Sequence, residues 1–99
     1  AEGLGSFYTY ERQVPEVADV KITGLKLHYG VNTKEGLQFF EVHKDADVIH
    51  RAECEKLLDE LSSEEQKKAE RAALTTAKFM WNFLSGVALK HKLPLECAA

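Results

Sequence analysis

Phe40, His43, Asp47, His50, Cys54, Leu57 and Leu61 recur at alternating spacings of three and four through the stretch FFEVHKDADVIHRAECEKLLDEL. At 100° per residue these positions trace one narrow seam, and only a long helix keeps them aligned. Around the seam lie Lys34, Glu35, Lys44, Asp45, Arg51, Glu55, Lys56 and Asp59, an ordinary solvated face. The seam is therefore the side that turns inward, and it carries three ionisable residues in succession. Burying an ionised Asp without partners is costly, and buried imidazoles also demand hydrogen bonds, so His43, Asp47 and His50 need a collective explanation.

No segment shows the strict alternation of a strand, so the chain reads as all-α, a bundle of about four helices in one domain spanning 1–99. A first helix is expected over residues 4–13, where Pro15 ends or kinks it, because proline lacks the N–H and disfavours helix in the residue before it. A second runs from Pro15 to about Tyr29, with Gly30 placed to terminate it. The third starts after Asn32 or Thr33, either of which can cap it, and continues to about Leu61. Ser62 and Glu65 have capping-box spacing and open a fourth that reaches about His91, leaving 92–99 as a flexible tail. On this last helix Ala69, Ala72, Ala73, Thr76, Met80, Phe83 and Val87 form one apolar stripe, yet Leu74, Phe79, Trp81 and Leu84 lie beyond it. A helix on a small bundle buries one face only, so the extra width implies a surface for a partner.

Thirteen basic and sixteen acidic residues leave a net charge of -3 with no basic block, which argues against nucleic acid. No apolar run approaches the roughly 20 residues a membrane span needs, and no signal-peptide pattern opens the chain, so a cytoplasmic location is expected. Cys54 and Cys97 lie far apart without a C-x-x-C partner, which suggests neither a disulfide framework nor a thiolate zinc site. Cys54 reads as a small core residue. The Ala1 start, dropping at once into helical pattern, reads as an excerpt or a processed chain.

A bound cation is one way to satisfy the polar trio. Imidazole and carboxylate donors together suit iron, manganese or zinc, whereas an all-oxygen set would point to calcium or magnesium. His43 and His50 are two turns apart, about 10 Å by helix rise, a spacing that hints at two ions with Asp47 between them. Glu11, in the run FYTYE, shares a face with Leu4 and Tyr8 and can reach the same core from the first helix. Carboxylates and histidines from neighbouring helices are how metal sites in bundles are assembled. The competing readings are a hydrogen-bonded Asp–His pair, and for Glu11 a surface acid paired with Arg12 or Lys21.

The stretches YTYERQVPEVADVKITGL and HYGVNTKEGLQFFEVHKDADVIH, with the helix that follows, resemble the C-terminal half of the heme-oxygenase-like superfamily. Within it they are most similar to the branch of PqqC-like (pyrroloquinoline-quinone-synthase-like, TenA/PqqC-type) proteins and CADD-like diiron oxidases. The marks are Tyr-Glu followed by Gln-x-Pro, Lys-Ile-x-Gly-Leu, and His-x-x-x-Asp-x-x-His. The resemblance implies Glu11, His43, Asp47 and His50 as metal ligands, non-heme iron in a mono- or dinuclear centre with manganese as the alternative, and a small-molecule substrate oxidised with O2. It further implies Lys21 as the amino-group donor in p-aminobenzoate synthesis, and Tyr10 as a redox participant beside the site. Family members are longer, and an earlier helix supplies them a further Glu and His. Pairing with a missing N-terminal half, or a homodimer, is the partner arrangement this implies. A metal-free PqqC-like oxidase and a non-enzymatic helical interaction module are the alternative functions.

Overall fold

The computed structural model of the chain describes residues 1–94 and consists of three helices, α1 (Glu2–Tyr29), α2 (Lys34–Asp59) and α3 (Ser63–Lys90), with no strand among the described residues. Of the tail expected over 92–99, residues 95–99 lie outside this range, as does Cys97. The caps are those the sequence offers. Thr33 Oγ1 accepts from the Gly36 amide at 3.1 Å, Ser62 Oγ from the Glu65 amide at 3.2 Å, and Gly30 closes α1 in the left-handed region at φ 66°.

The all-α class stands, but the count falls from about four helices to three, because Pro15 lies inside α1 rather than between two helices. A proline in a helix interior costs roughly 3 kcal/mol. Here the ring is buried with Glu11, Ala18 and Ile22, the 4-3-4 stripe that α1 turns towards α2. That burial offsets the missing hydrogen bond, and the Arg51 guanidinium of α2 donates to the Arg12 carbonyl beside the break at 3.2 Å.

α1 is the central element, with α2 and α3 on either side of it and scarcely touching each other. Tyr8 pairs with Glu55, Glu16 with Arg51 and Asp19 with Lys44, so α1 and α2 are antiparallel. Gly5 abuts Ala69, Thr9 bonds the Ala73 carbonyl and Ser6 bonds Thr76, so α1 and α3 are parallel. The result is an open layer measuring 48 × 32 × 19 Å, with a radius of gyration of 16.1 Å against about 13 Å for an ordinary domain of this length. Its apolar core is correspondingly small: Ala18, Ile22, Leu37, Cys54 and Ala69. On α3 the expected stripe holds only in its first half. Ala69 is buried and Ala72, Ala73, Thr76 and Met80 are half-buried, whereas Phe83 and Val87 are exposed along with Leu74, Phe79, Trp81 and Leu84. No helix among the described residues is long and apolar enough to cross a membrane.

The α1–α3 crossing depends on the absence of a side chain at Gly5. A Cβ there would be driven into the Ala69 carbonyl oxygen and would sit 2.8 Å from its carbonyl carbon and 2.9 Å from its Cα, all backbone atoms with no freedom to swing aside. At Gly24, in the same helix, a Cβ meets nothing within 4 Å. Two identical substitutions therefore have opposite signs. Gly5→Ala lowers stability by about 1–3 kcal/mol through overpacking, and Gly24→Ala raises it by about 0.4–1 kcal/mol through the unfolded state. Urea unfolding of the two variants checks this, and a Gly5→Ala chain as stable as the parent would contradict the crossing.

Candidate metal centre

Where the buried stripe of α1 meets that of α2, three polar side chains converge. Glu11 comes from α1 and is 8% exposed; Asp47 comes from α2 and is 2% exposed. His50, one turn beyond Asp47, places Nδ1 3.1 Å from Asp47 Oδ1 and 3.3 Å from Glu11 Oε2, so its N–H is shared between the two carboxylates. One donor atom from each residue lies within 4.8 Å of the others. Two antiparallel helices thus bring residues 36 or more positions apart in the chain to one point, and the floor of that point is dry while the His50 side chain, 50% exposed, opens it to one side.

Burial pushes the Glu11 carboxyl above its usual range, the neighbouring Asp47 pushes it further, and the His50 N–H partly offsets both. Two carboxylates this close resist ionising together, and a shared proton or a cation resolves the conflict. Cys54 follows His50 by one turn and is buried; burial, then the charges of Glu11 and Glu53, pushes its thiol up. A protonated thiol is a packing group rather than a ligand, as the sequence suggested.

The other expected residues lie around this point without joining it. His43 stands one turn before Asp47, but its Nδ1 donates to the Phe39 carbonyl at 2.7 Å and its ring stacks on Phe39 with centroids 4.2 Å apart. That bond leaves Nε2 with the lone pair, the arrangement in which a histidine with one nitrogen tied to a carbonyl serves as a ligand through the other. Tyr10, 55% exposed, and Lys21, also exposed, make no hydrogen bond to the trio. Separated by eleven residues, they share one face of α1 with Phe7, Val14 and Val17.

The sides of the α1–α2 groove are chemically opposite. One rim carries the cross-helix polar contacts: Tyr8 Oη to Glu55 at 2.7 Å, Arg51 to Arg12 and Glu16, and Lys44 to Asp19 at 2.8 Å. The other carries Phe7, Tyr10, Val17 and Lys21 from α1, and by helical phase Phe39, His43 and His50 from α2. It is this second, largely apolar side onto which the trio opens. Sequence reasoning put Arg51 on the solvated face. Pro15 marks the turn it reaches: the guanidinium donates to the Arg12 carbonyl, one residue past the Glu11 carbonyl that loses its helical donor.

The profile of a family described as iron-containing redox enzymes matches residues 1–82. The chain belongs to this family of iron-containing redox enzymes. It is 41% identical over 98 residues to a 4-aminobenzoate synthase of Chlamydia pneumoniae, covering 98% of this chain and 43% of that one. It is also 33% identical over 97 residues to a 4-aminobenzoate synthase of Nitrosomonas europaea, covering 96% and 39%. The chain thus spans less than half the length of these relatives. No solved structure matches it. For an iron-containing redox enzyme the trio is chemically apt, since two carboxylates and an imidazole form a donor set that ferrous iron accepts, and their buried negative charge calls for a cation.

The raised Glu11 pKa has a stability consequence whose sign is fixed. The folded chain holds this proton more tightly than the unfolded chain, where the carboxyl titrates near 4.5, so the contribution is full below that pH and is lost as pH rises through the folded value. Glu11→Gln keeps the shape and removes the charge. In metal-free protein it raises the unfolding midpoint at pH 7 by about 4–8 °C for each kcal/mol relieved, with the gain shrinking as pH falls towards 4.5. Thermal unfolding of both chains across this range checks the expectation, and a gap independent of pH would contradict it.

Proposed function

We propose that this chain provides the metal-holding helices of an iron-dependent oxidative enzyme, and that its product is 4-aminobenzoate, for whose synthesis its relatives are named. The observation that carries the reading is the convergence of Glu11, Asp47 and His50, two nearly buried carboxylates with one imidazole between them. Membership of an iron-containing family supports iron ahead of manganese. When bound, iron supplies the redox chemistry with O2 that these side chains lack.

In this reading Glu11, Asp47 and His50 would hold iron, and His43, with Nε2 carrying its lone pair, would be a fourth protein ligand of a mono- or dinuclear centre. The Phe39 carbonyl fixes the His43 tautomer. Buried α1–α2 packing keeps bulk water from the floor of the site. Tyr10 and Lys21 share the open apolar side with the two histidines, where a small organic substrate would lie; Lys21 is the amine donor and Tyr10 the redox side chain on this account. The exposed aromatic and aliphatic residues of that side are covered in the working protein by further polypeptide of the kind the longer relatives carry, or by a second copy of the chain.

Anaerobic titration with ferrous iron tests the reading. The parent chain binds iron, and Asp47→Asn and His50→Ala each weaken binding by more than about tenfold, since even the outer partners of metal ligands are worth about 10–100-fold. Failure of the parent chain to bind iron, or retention of full affinity in both variants, would contradict it and favour a metal-free oxidase.

A further inference from the structure

Helix α1 is one hydrogen bond short at the place where the candidate metal centre needs it firm. In a helix the carbonyl of residue 11 accepts from the N–H of residue 15, and residue 15 is Pro. The carbonyl left without its helical donor belongs to Glu11, so the turn that carries this carboxylate has one helical bond fewer than the other interior turns of α1. An outside tie is present one residue further on. Arg51 Nη1, from α2, lies 3.2 Å from the Arg12 carbonyl oxygen and 3.4 Å from Glu16 Oε1. The Arg51 side chain is 29% exposed, well covered for an arginine on the rim of a small helical layer.

The position of Arg51 in its own helix matters equally. It follows His50 directly and lies one turn after Asp47, so the guanidinium joins the α1 turn bearing one carboxylate to the α2 turn bearing the other carboxylate and the imidazole. The other ties on this rim bond side chains only: Lys44 to Asp19, with side chains 40% and 63% exposed, and Tyr8 to Glu55. Arg51 alone among these three bonds backbone. A contact to backbone fixes the turn itself, whereas an exposed ion pair joins two flexible side chains and constrains little.

We infer that Arg51 is a positioning residue for metal binding, its guanidinium clamping the Pro15-weakened turn of α1 so that Glu11 stays in register with Asp47 and His50. The inference rests on the iron-binding reading of the site. Arg51 touches none of the three donor side chains in the contacts above, and acts through the backbone of the segment that presents Glu11.

The test is carried out on the chain with ferrous iron alone under anaerobic conditions, affinity being measured by competition with a chelator. Cobalt(II) ligand-field absorption reports the geometry of the site. Arg51→Met weakens iron binding by about 10–100-fold and shifts the cobalt bands, at unchanged helical content by circular dichroism. Lys44→Met, which removes the neighbouring ion pair, leaves both readouts as in the parent. Arg51→Lys recovers part of the affinity, because an ammonium still donates to a carbonyl but lacks the planar fork. Should Arg51→Met lose helical content, Arg51→Lys decides on the same readouts, affinity and bands identical to the parent counting against the inference. Parent-like affinity and spectrum in Arg51→Met, or an equal loss in Lys44→Met, overturns it while leaving the iron reading intact. A parent chain that binds no iron overturns that reading and this inference with it.

Discussion

The structure turns on two carboxylates that ought to repel one another. Glu11 and Asp47 face each other across the α1–α2 interface, nearly excluded from water, with a single imidazole N–H between them. An apolar pair would hold two helices together more strongly, because the desolvation of charges is rarely recovered by their partners. The interface spends part of its small core on this cluster. Pro15 and Cys54, one turn from Glu11 and His50, and Ala18, Ile22 and Leu37 further along the two helices are the buried residues that accompany it. A bound cation would turn this arrangement from a liability into a bond, and on the proposed reading the stripe that packs the helices also carries the chemistry.

One-sidedness is the second consequence. Apart from the His50–Glu11 contact, the polar ties between α1 and α2 fall on one rim of their groove, and the opposite rim is largely apolar and open. His50 emerges there, half exposed, with His43, Tyr10 and Lys21 on the same side. The centre therefore has a floor and one wall. The chain spans less than half the length of the relatives it matches.

Much of this was legible in the residue order, and the parts that were not share a physical reason. Local rules were enough for the caps at Thr33, Ser62 and Gly30, which depend on neighbours three or four residues away. Helical phase alone placed Asp47 and His50 on an inward seam, and Glu11 on a face able to reach them. Phase could not show that the Phe39 carbonyl holds the His43 ring by Nδ1, which sets His43 one turn outside the convergence of Glu11, Asp47 and His50 with Nε2 left without that bond. Nor could local preference show that Pro15 continues a helix, because what permits it is burial of the ring against α2, a contact far along the chain. The breadth of the apolar surface on α3 was visible in Leu74, Phe79, Trp81 and Leu84, but the exposure of Phe83 and Val87, which share the phase of buried Ala69, depends on tertiary packing that phase does not carry.

The claim at the centre of this account is that Glu11, Asp47 and His50 meet on one metal ion. Anomalous scattering at the iron edge, from crystals of the chain loaded with ferrous iron and kept anaerobic, addresses it directly. The account predicts a peak among the carboxylate oxygens of Glu11 and Asp47 and the ring of His50. An iron peak held elsewhere, or none between those three side chains, would contradict it.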